Sequence, residues 1–226
     1  MSAESGVMDQ GRSLSWSETW IKALTQPSEA SYAEIVNDPG AAPRKAYIWI
    51  FISSLVGFII YILIGSLFGT NVIGAGMEGI LGSMIAVVLC GAPIVSLFAV
   101  LGIMISAGIS QWIASALGGT GTYSKLVYTI AAYAAPLSLV SYLISSIPYL
   151  NCLYIPLGFY GIFLNITAVK TVNQFSWGKA VISSALILFL LIVVAAIIVI
   201  AVLALLGPAI GNVFSNILTG IGTPVP

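Results

Sequence analysis

Histidine is missing from all 226 residues, and only 6% of them carry a charge. Without histidine there is no imidazole general base, no histidine-bound metal and no histidine-ligated haem. The scarcity of charge is as telling, because a soluble domain carries about 25% charged residues. Seven basic residues balance seven acidic ones. No basic field therefore offers a surface to nucleic acid, and no acidic field asks for a basic partner. Two cysteines, Cys90 and Cys152, are too few for a disulfide scaffold or a zinc site. Their apolar neighbours make them read as buried thiols in preference to a disulfide.

What is present is apolar: 59% of the residues are hydrophobic. Long apolar runs suit lipid, which needs no polar face opposite them. The charges are unevenly placed. Ten of them precede Ala46, and the rest are Glu78, Lys125, Lys170 and Lys179. This divides the chain into a polar arm, 1–45, a membrane domain, 46–206, and a tail, 207–226. The arm holds no apolar run followed by a cleavage pattern, so the first span is expected to act as its own insertion signal.

Residues 1–15 are polar and without periodicity, and are expected to be disordered. Trp16, Trp20, Ile21 and Leu24 then fall at helical spacing. Pro27 interrupts, and Ser28 with Glu29 restarts a second short helix that presents Tyr32, Ile35 and Val36. Two readings of Trp16 and Trp20 stay open: an interfacial helix among lipid headgroups, or packing on the protein's own membrane domain.

The first span runs over about 46–68, roughly 34 Å of helix and enough to cross. A Gly-rich loop with Glu78 follows. Residues 79–117 form one uncharged stretch, roughly 58 Å as a straight helix and too long for one crossing. Three further spans are expected at 124–147, closed by Pro148, at 152–172, and at 179–206, ended by Gly207-Pro208. In the tail, Ile210, Val213, Phe214, Ile217, Leu218 and Ile221 make an apolar stripe. It predicts a short amphipathic helix on the outer surface, with Phe214 and Leu218 facing lipid or protein.

Charge decides how often 79–117 crosses. Basic residues near span ends stay on the cytoplasmic side. If the stretch crosses once, with the N-terminus inside, all seven basic residues are cytoplasmic. If it crosses twice, Lys125, Lys170 and Lys179 move outside. The expected fold is therefore all-α and polytopic: five transmembrane helices with amphipathic helices at both ends. Residues 79–92 become an outer interfacial or re-entrant piece, bent at Gly91-Ala92-Pro93 into a span over 93–117.

Little in these spans points to chemistry. No charged side chain sits deep in one, which argues against proton relays and voltage sensing. Serines are frequent, but a catalytic serine needs a base, and none is at hand. They are expected to bond back to their own helices. GTNVIGAGMEG lacks the Lys-Ser/Thr and the preceding strand of a phosphate loop. Gly57-x-x-x-Tyr61-x-x-x-Gly65 and Gly102-x-x-x-Ser106-x-x-x-Ser110 are small-residue ladders, expected to pack within the chain. The residues singled out are Pro93, Pro136, Asn165, Trp16 and Trp20. Pro136 lacks an N–H, so the carbonyl of Ala132 loses its helical partner. Spans three and four form a hairpin around 148–151, and Asn165 is expected to donate to that carbonyl.

The stretches GTGTYSKLVYTIAAYAAPLSLVSYLISSIP and IPLGFYGIFLNITAVKTVNQFSWGKAVISSALI resemble the prokaryotic branch of the Yip1 family. So does WIKALTQPSEASYAEIV ahead of the first span. The features that carry the resemblance are Gly121 with Tyr123, Pro136, and Gly178-Lys179-Ala180. It implies a polar N-terminal segment before five spans. Eukaryotic members bind Rab-type GTPases and act in vesicle traffic, and their cytosolic arm carries an Asp-Leu-Tyr-Gly-Pro-like motif. That motif is missing here, so GTPase binding is not carried over.

The expected function is non-enzymatic: an integral membrane protein that organises bilayer or partner proteins, with no cofactor. Its partners would be the lipid bilayer and other membrane proteins or further copies of itself, in the cytoplasmic membrane of a prokaryote. The alternative is a small transporter or channel with a mid-membrane polar cavity around Asn165.

Five crossings place the termini on opposite sides. A Ser215→Cys variant is expected to react with a membrane-impermeant maleimide from outside intact cells. Labelling from the cytoplasmic side alone would reverse that topology.

Overall fold

The computed structural model describes residues 13–68, 85 and 87–222. Among the described residues there are helices and no strands. Five helices are long and apolar enough to cross a membrane, in agreement with the five expected spans. The loop carrying Glu78, and most of the expected outer piece over 79–92, lie outside the described residues.

The arm forms two short helices. α1 spans Trp16–Thr25. Ser15 and Glu18 close a capping box around its start: the Glu18 amide donates to the Ser15 hydroxyl, and the Ser15 amide donates to the Glu18 carboxylate. Two of the amides that every helix start leaves unpaired are thereby satisfied. Pro27 follows the helix end. α2 spans Glu29–Val36, with the Ser28 hydroxyl accepting from the Ser31 amide as its N-cap.

α3 spans Pro43–Leu67. Its proline sits in the first turn, where a missing N–H costs nothing. α4 spans Ala92–Ala116 and follows a π-helical turn over Val87–Gly91. The expected bend at Gly91-Ala92-Pro93 is corrected here. Gly91 is itself right-handed helical, at φ −71°, ψ −45°, so the chain passes from the π-helical turn into α4 without leaving helix, and Pro93 falls in the first turn of α4.

α5 spans Tyr123–Ser146 and carries Pro136 inside it. A 3₁₀ turn over Pro148–Leu153 reverses the chain, so Pro148 closes the span as expected. α6 spans Tyr154–Asn173 and ends on Gln174 in the left-handed conformation.

α7 spans Trp177–Gly222, with Pro208 within it. The expected stop at Gly207-Pro208 is therefore corrected: residues 207–222 continue the last helix. An interior proline removes one hydrogen bond, here from the Ala204 carbonyl, and helices of this apolar kind tolerate that loss. The tail's own 3.6-residue apolar period was already helical. The side chains of Phe214 and Leu218 lie outside the described residues. Two compact units are distinguished, residues 1–184 and 185–226; the second consists of the greater part of α7 and the chain end.

α5 is the central helix of the first unit. It packs on α3, α4 and α6, and receives α1 and α2. Half of its most apolar window is buried, against 11% for the span that includes α4. Small faces allow this: Ala131, Ala132 and Ala135 are fully buried. On α3, an added Cβ at Gly57 would lie 2.3 Å from the Tyr142 ring, so glycine lets the two backbones approach. The first small-residue ladder thus packs within the chain. Several span serines bond back as expected, Ser96 to the Ala92 carbonyl, Ser110 to Ser106 and Ser141 to Leu137, whereas Ser184 donates across to Asn165 and the buried Ser183 hydroxyl has no partner among the described residues. Cys90 and Cys152 are unpaired but exposed rather than buried. Cys152 sits in the 3₁₀ turn that reverses the chain, and Cys90 in the π-helical turn ahead of α4.

Gly57→Ala is expected to destabilise the protein by about 1–3 kcal/mol, because the Tyr142 ring must move. Gly102 has nothing within 4 Å of an added Cβ. Gly102→Ala is therefore expected to be neutral or to stabilise by up to about 1 kcal/mol. Denaturant unfolding of both variants in one detergent checks the contrast.

Candidate functional site

Sequence features drew attention to the arm tryptophans and to Asn165. The structure places them in separate clusters, one at the end of the bundle where the arm sits and one between spans.

The arm's seat is built around Trp49, which is fully buried in the second turn of α3. Trp16 and Trp20 meet its ring edge-on, with centroids 5.9 and 6.1 Å away. Tyr128 of α5 lies against it at 5.1 Å, and the Lys45 ammonium stands 5.9 Å from its centroid. Edge-on aromatic pairs set the negative face of one ring against the positive edge of another. Of the two readings of Trp16 and Trp20, the structure realises packing on the protein's own membrane domain. α1 buries Thr19 and Ala23 beneath it, while Trp16 and Ile21 remain exposed.

Beside the tryptophans lies a buried carboxylate. Asp38 follows α2 and accepts from the Leu14 amide at 3.3 Å, the Gly40 amide at 2.8 Å and the Tyr128 hydroxyl at 2.8 Å. Three donors satisfy the charge that burial would otherwise penalise.

Further polar latches hold the arm down. The Lys170 ammonium, buried near the end of α6, pairs with the Glu29 carboxylate of α2 and lies 4.5 Å from the Trp177 ring centroid. Trp177 in turn stacks on Phe163. The Tyr160 hydroxyl donates to the Leu24 carbonyl, and Lys22 pairs with Glu34 to tie α1 to α2. The Tyr32 hydroxyl donates to the Ala23 carbonyl at 3.1 Å. Burial pushes this phenol well above the ordinary tyrosine range, with Tyr133 and Tyr160 adding to the shift. The neutral form is thus favoured in the folded state. That contribution is complete below pH 10.0, the ordinary value, and is lost as pH rises above it.

The turn from α4 to α5 is pinned to the end of α6. The Gln111 amide donates to the Gly121 carbonyl at 2.7 Å and to Asn173 Oδ1 at 3.2 Å. A Cβ at Gly121 would come within 2.7 Å of the Val172 carbonyl oxygen, so only glycine fits there.

Asn165 does reach α5, but its acceptor differs from the expected one. Its amide donates to the Tyr133 hydroxyl at 3.0 Å, and its oxygen accepts from Ser184 at 3.5 Å. The Ala132 carbonyl is not the partner because a phenol one residue further on projects from the helix toward the amide, whereas a backbone carbonyl lies close to its own helix axis. Pro136 is buried within α5, and Pro93 opens α4; neither touches the Asn165 cluster through a polar group. Two cavities open at the arm end, lined in common by Val36, Asn37 and Lys125, and neither is lined by Asn165.

Nothing in the sequence marks Asp38, Tyr128 and Trp49 as site residues, and Glu29 and Lys170 stand out there only as a helix start and a span-end charge. A signal existed for Lys170: it is a lone cation at the end of an apolar span, and such a charge requires a partner or water. Among the described residues, no three His, Cys, Asp or Glu side chains come together as metal ligands.

Glu29→Gln leaves the buried Lys170 ammonium without its counter-charge and is expected to cost about 1–3 kcal/mol. Glu29 is half exposed, which keeps the effect below that of a fully buried pair. A Glu29→Gln, Lys170→Met double variant is expected to recover part of the loss. Unfolding in detergent measures the cycle, and protease access to α1 and α2 reports arm release.

Comparison with known proteins adds one match. Residues 21–199 match the model of the Yip1 domain. No curated protein and no solved structure matches the chain.

Proposed function

Because this chain belongs to the Yip1 family, we propose that it is a non-enzymatic multi-pass membrane protein that gathers partner proteins at the cytoplasmic face of a prokaryotic cell membrane. The observation behind this reading is the docked arm. α1 and α2 are folded, capped and latched to the span ends, yet Trp16 and Ile21 stay exposed. A preformed apolar surface of this kind costs little ordering when a partner binds. Lys22, Arg44, Lys45, Lys125, Lys170 and Lys179 all lie in the arm or at the ends of spans on the arm's side, which supports a cytoplasmic arm. Other membrane proteins or a second copy of the chain are the partners this surface would take, with lipid around the spans.

A transporter reading draws on the Tyr133–Asn165–Ser184 chain of polar groups. Those groups bond to one another, and the two cavities described lie at the arm end. Recruitment is therefore the better supported of the two.

A photo-crosslinking residue at Ile21, in native membranes, is expected to give discrete protein adducts. The same residue at Leu97, an exposed position on α4, is expected to give lipid adducts. No protein adduct at Ile21, together with solute flux in proteoliposomes that Asn165→Leu abolishes, would replace recruitment by transport.

A further inference from the structure

The arm does not close fully over the bundle. A cavity of about 280 Å³ remains between α2, the turn leading into α5 and the end of α6. We propose that this cleft binds a phosphate group, with the Lys125 ammonium as its counter-charge. The proposal is separate from partner recruitment through α1.

The walls favour an anion. Polar side chains come from Asn37, Thr120, Thr122, Lys125, Thr171 and Gln174, and no acidic residue lines the cavity. Lys125 also lines a second cavity of about 210 Å³. That second cavity includes Asp38, whose carboxylate accepts from the Leu14 and Gly40 amides and the Tyr128 hydroxyl; Asp38 does not line the first cavity. Among the described residues Lys125 has no carboxylate partner, whereas Lys22 and Lys170 each have one.

Donor count points to phosphate in particular. Thr171 spends its one hydroxyl donor on the Thr167 carbonyl and serves as wall, and Asn37 spends one of its two amide donors on the Ala33 carbonyl. Thr122 is the N-cap of α5 and makes no capping bond with its side chain. Its hydroxyl, the Thr120 hydroxyl, the Gln174 amide and the Lys125 ammonium are left as donors. The positive end of the α5 dipole opens on the same cleft. A tetrahedral oxyanion accepts several such bonds at once, and charge-assisted ones are the strongest. The cleft lies at the ends of spans, at the start of α5 and the end of α6. A lipid phosphate and a free phosphate both meet the chemistry.

The test uses the full chain purified in a neutral detergent, with native mass spectrometry and thermal unfolding as readouts. Three probes are titrated: short-chain phosphatidic acid, inorganic phosphate, and diacylglycerol of the same chain length. Phosphatidic acid is expected to bind and diacylglycerol not. Lys125→Gln is expected to weaken binding roughly tenfold or more, Lys125→Arg to restore most of it, and Thr122→Val to weaken it a few fold. Lys179→Gln, which removes another exposed interfacial charge, is expected to leave it unchanged. Binding of phosphatidic acid alone assigns a lipid headgroup; binding of inorganic phosphate as well assigns a free phosphate group. The proposal is overturned if neither phosphate probe binds, if Lys125→Gln binds as the wild type does, or if Lys179→Gln loses as much.

Discussion

Asp38 brings three distant parts of the chain to one carboxylate. The Leu14 amide fixes where the arm begins, the Gly40 amide shapes the turn into α3, and the Tyr128 hydroxyl anchors both to the central helix. A carboxylate this buried is tolerable only with its donors in place. The Trp49 cluster forms beside it: Trp49 and Tyr128 flank the same junction, and Trp16 and Trp20 reach the cluster because the arm is turned back there. The Lys170–Glu29 pair and the Tyr160 bond then close the far side of the arm.

The two halves of this arrangement obey different rules. Between spans, lipid offers little hydrophobic drive, so close approach of small residues and a few shared polar groups hold the helices. Gly57 against Tyr142 and Asn165 against Tyr133 are of that kind. At the arm, water is present on one side. There the packing of aromatic rings contributes as in a soluble core, and ion pairs shielded on the bundle side become effective latches.

Much of the membrane fold was legible because it rests on composition and length. Apolar runs, Pro148 and the placement of lysines led to five spans. Ser15 and Glu18 stand three residues apart ahead of an apolar pattern, so the capping box too was readable in principle. Prolines misled in both directions. Pro93 and Pro208 were read as breaks, but one occupies a helix start and the other is absorbed inside a helix. Whether a proline breaks a helix depends on what surrounds it, which sequence does not state. The arm's seat was illegible for a deeper reason. Asp38 and Tyr128 are ninety residues apart, and nothing local marks either as the other's partner. Asn165 was found because a lone amide in an apolar run must bond somewhere, but its acceptor depended on a rotamer.

The central position of α5 bears on how the protein is made. Its mean hydropathy is 1.6, the lowest of the five spans, against 2.5 for the α3 span. Buried on the faces it turns to its neighbours, it gains little from lipid directly. A translocating ribosome presents helices one at a time, and membrane insertion favours the more apolar segments. α5 therefore depends on α3 already being in the bilayer and on α6 following it closely. Biogenesis is then a concerted step through the middle of the chain, and polar substitutions in α5 would show first as failed insertion, before any loss of folded stability.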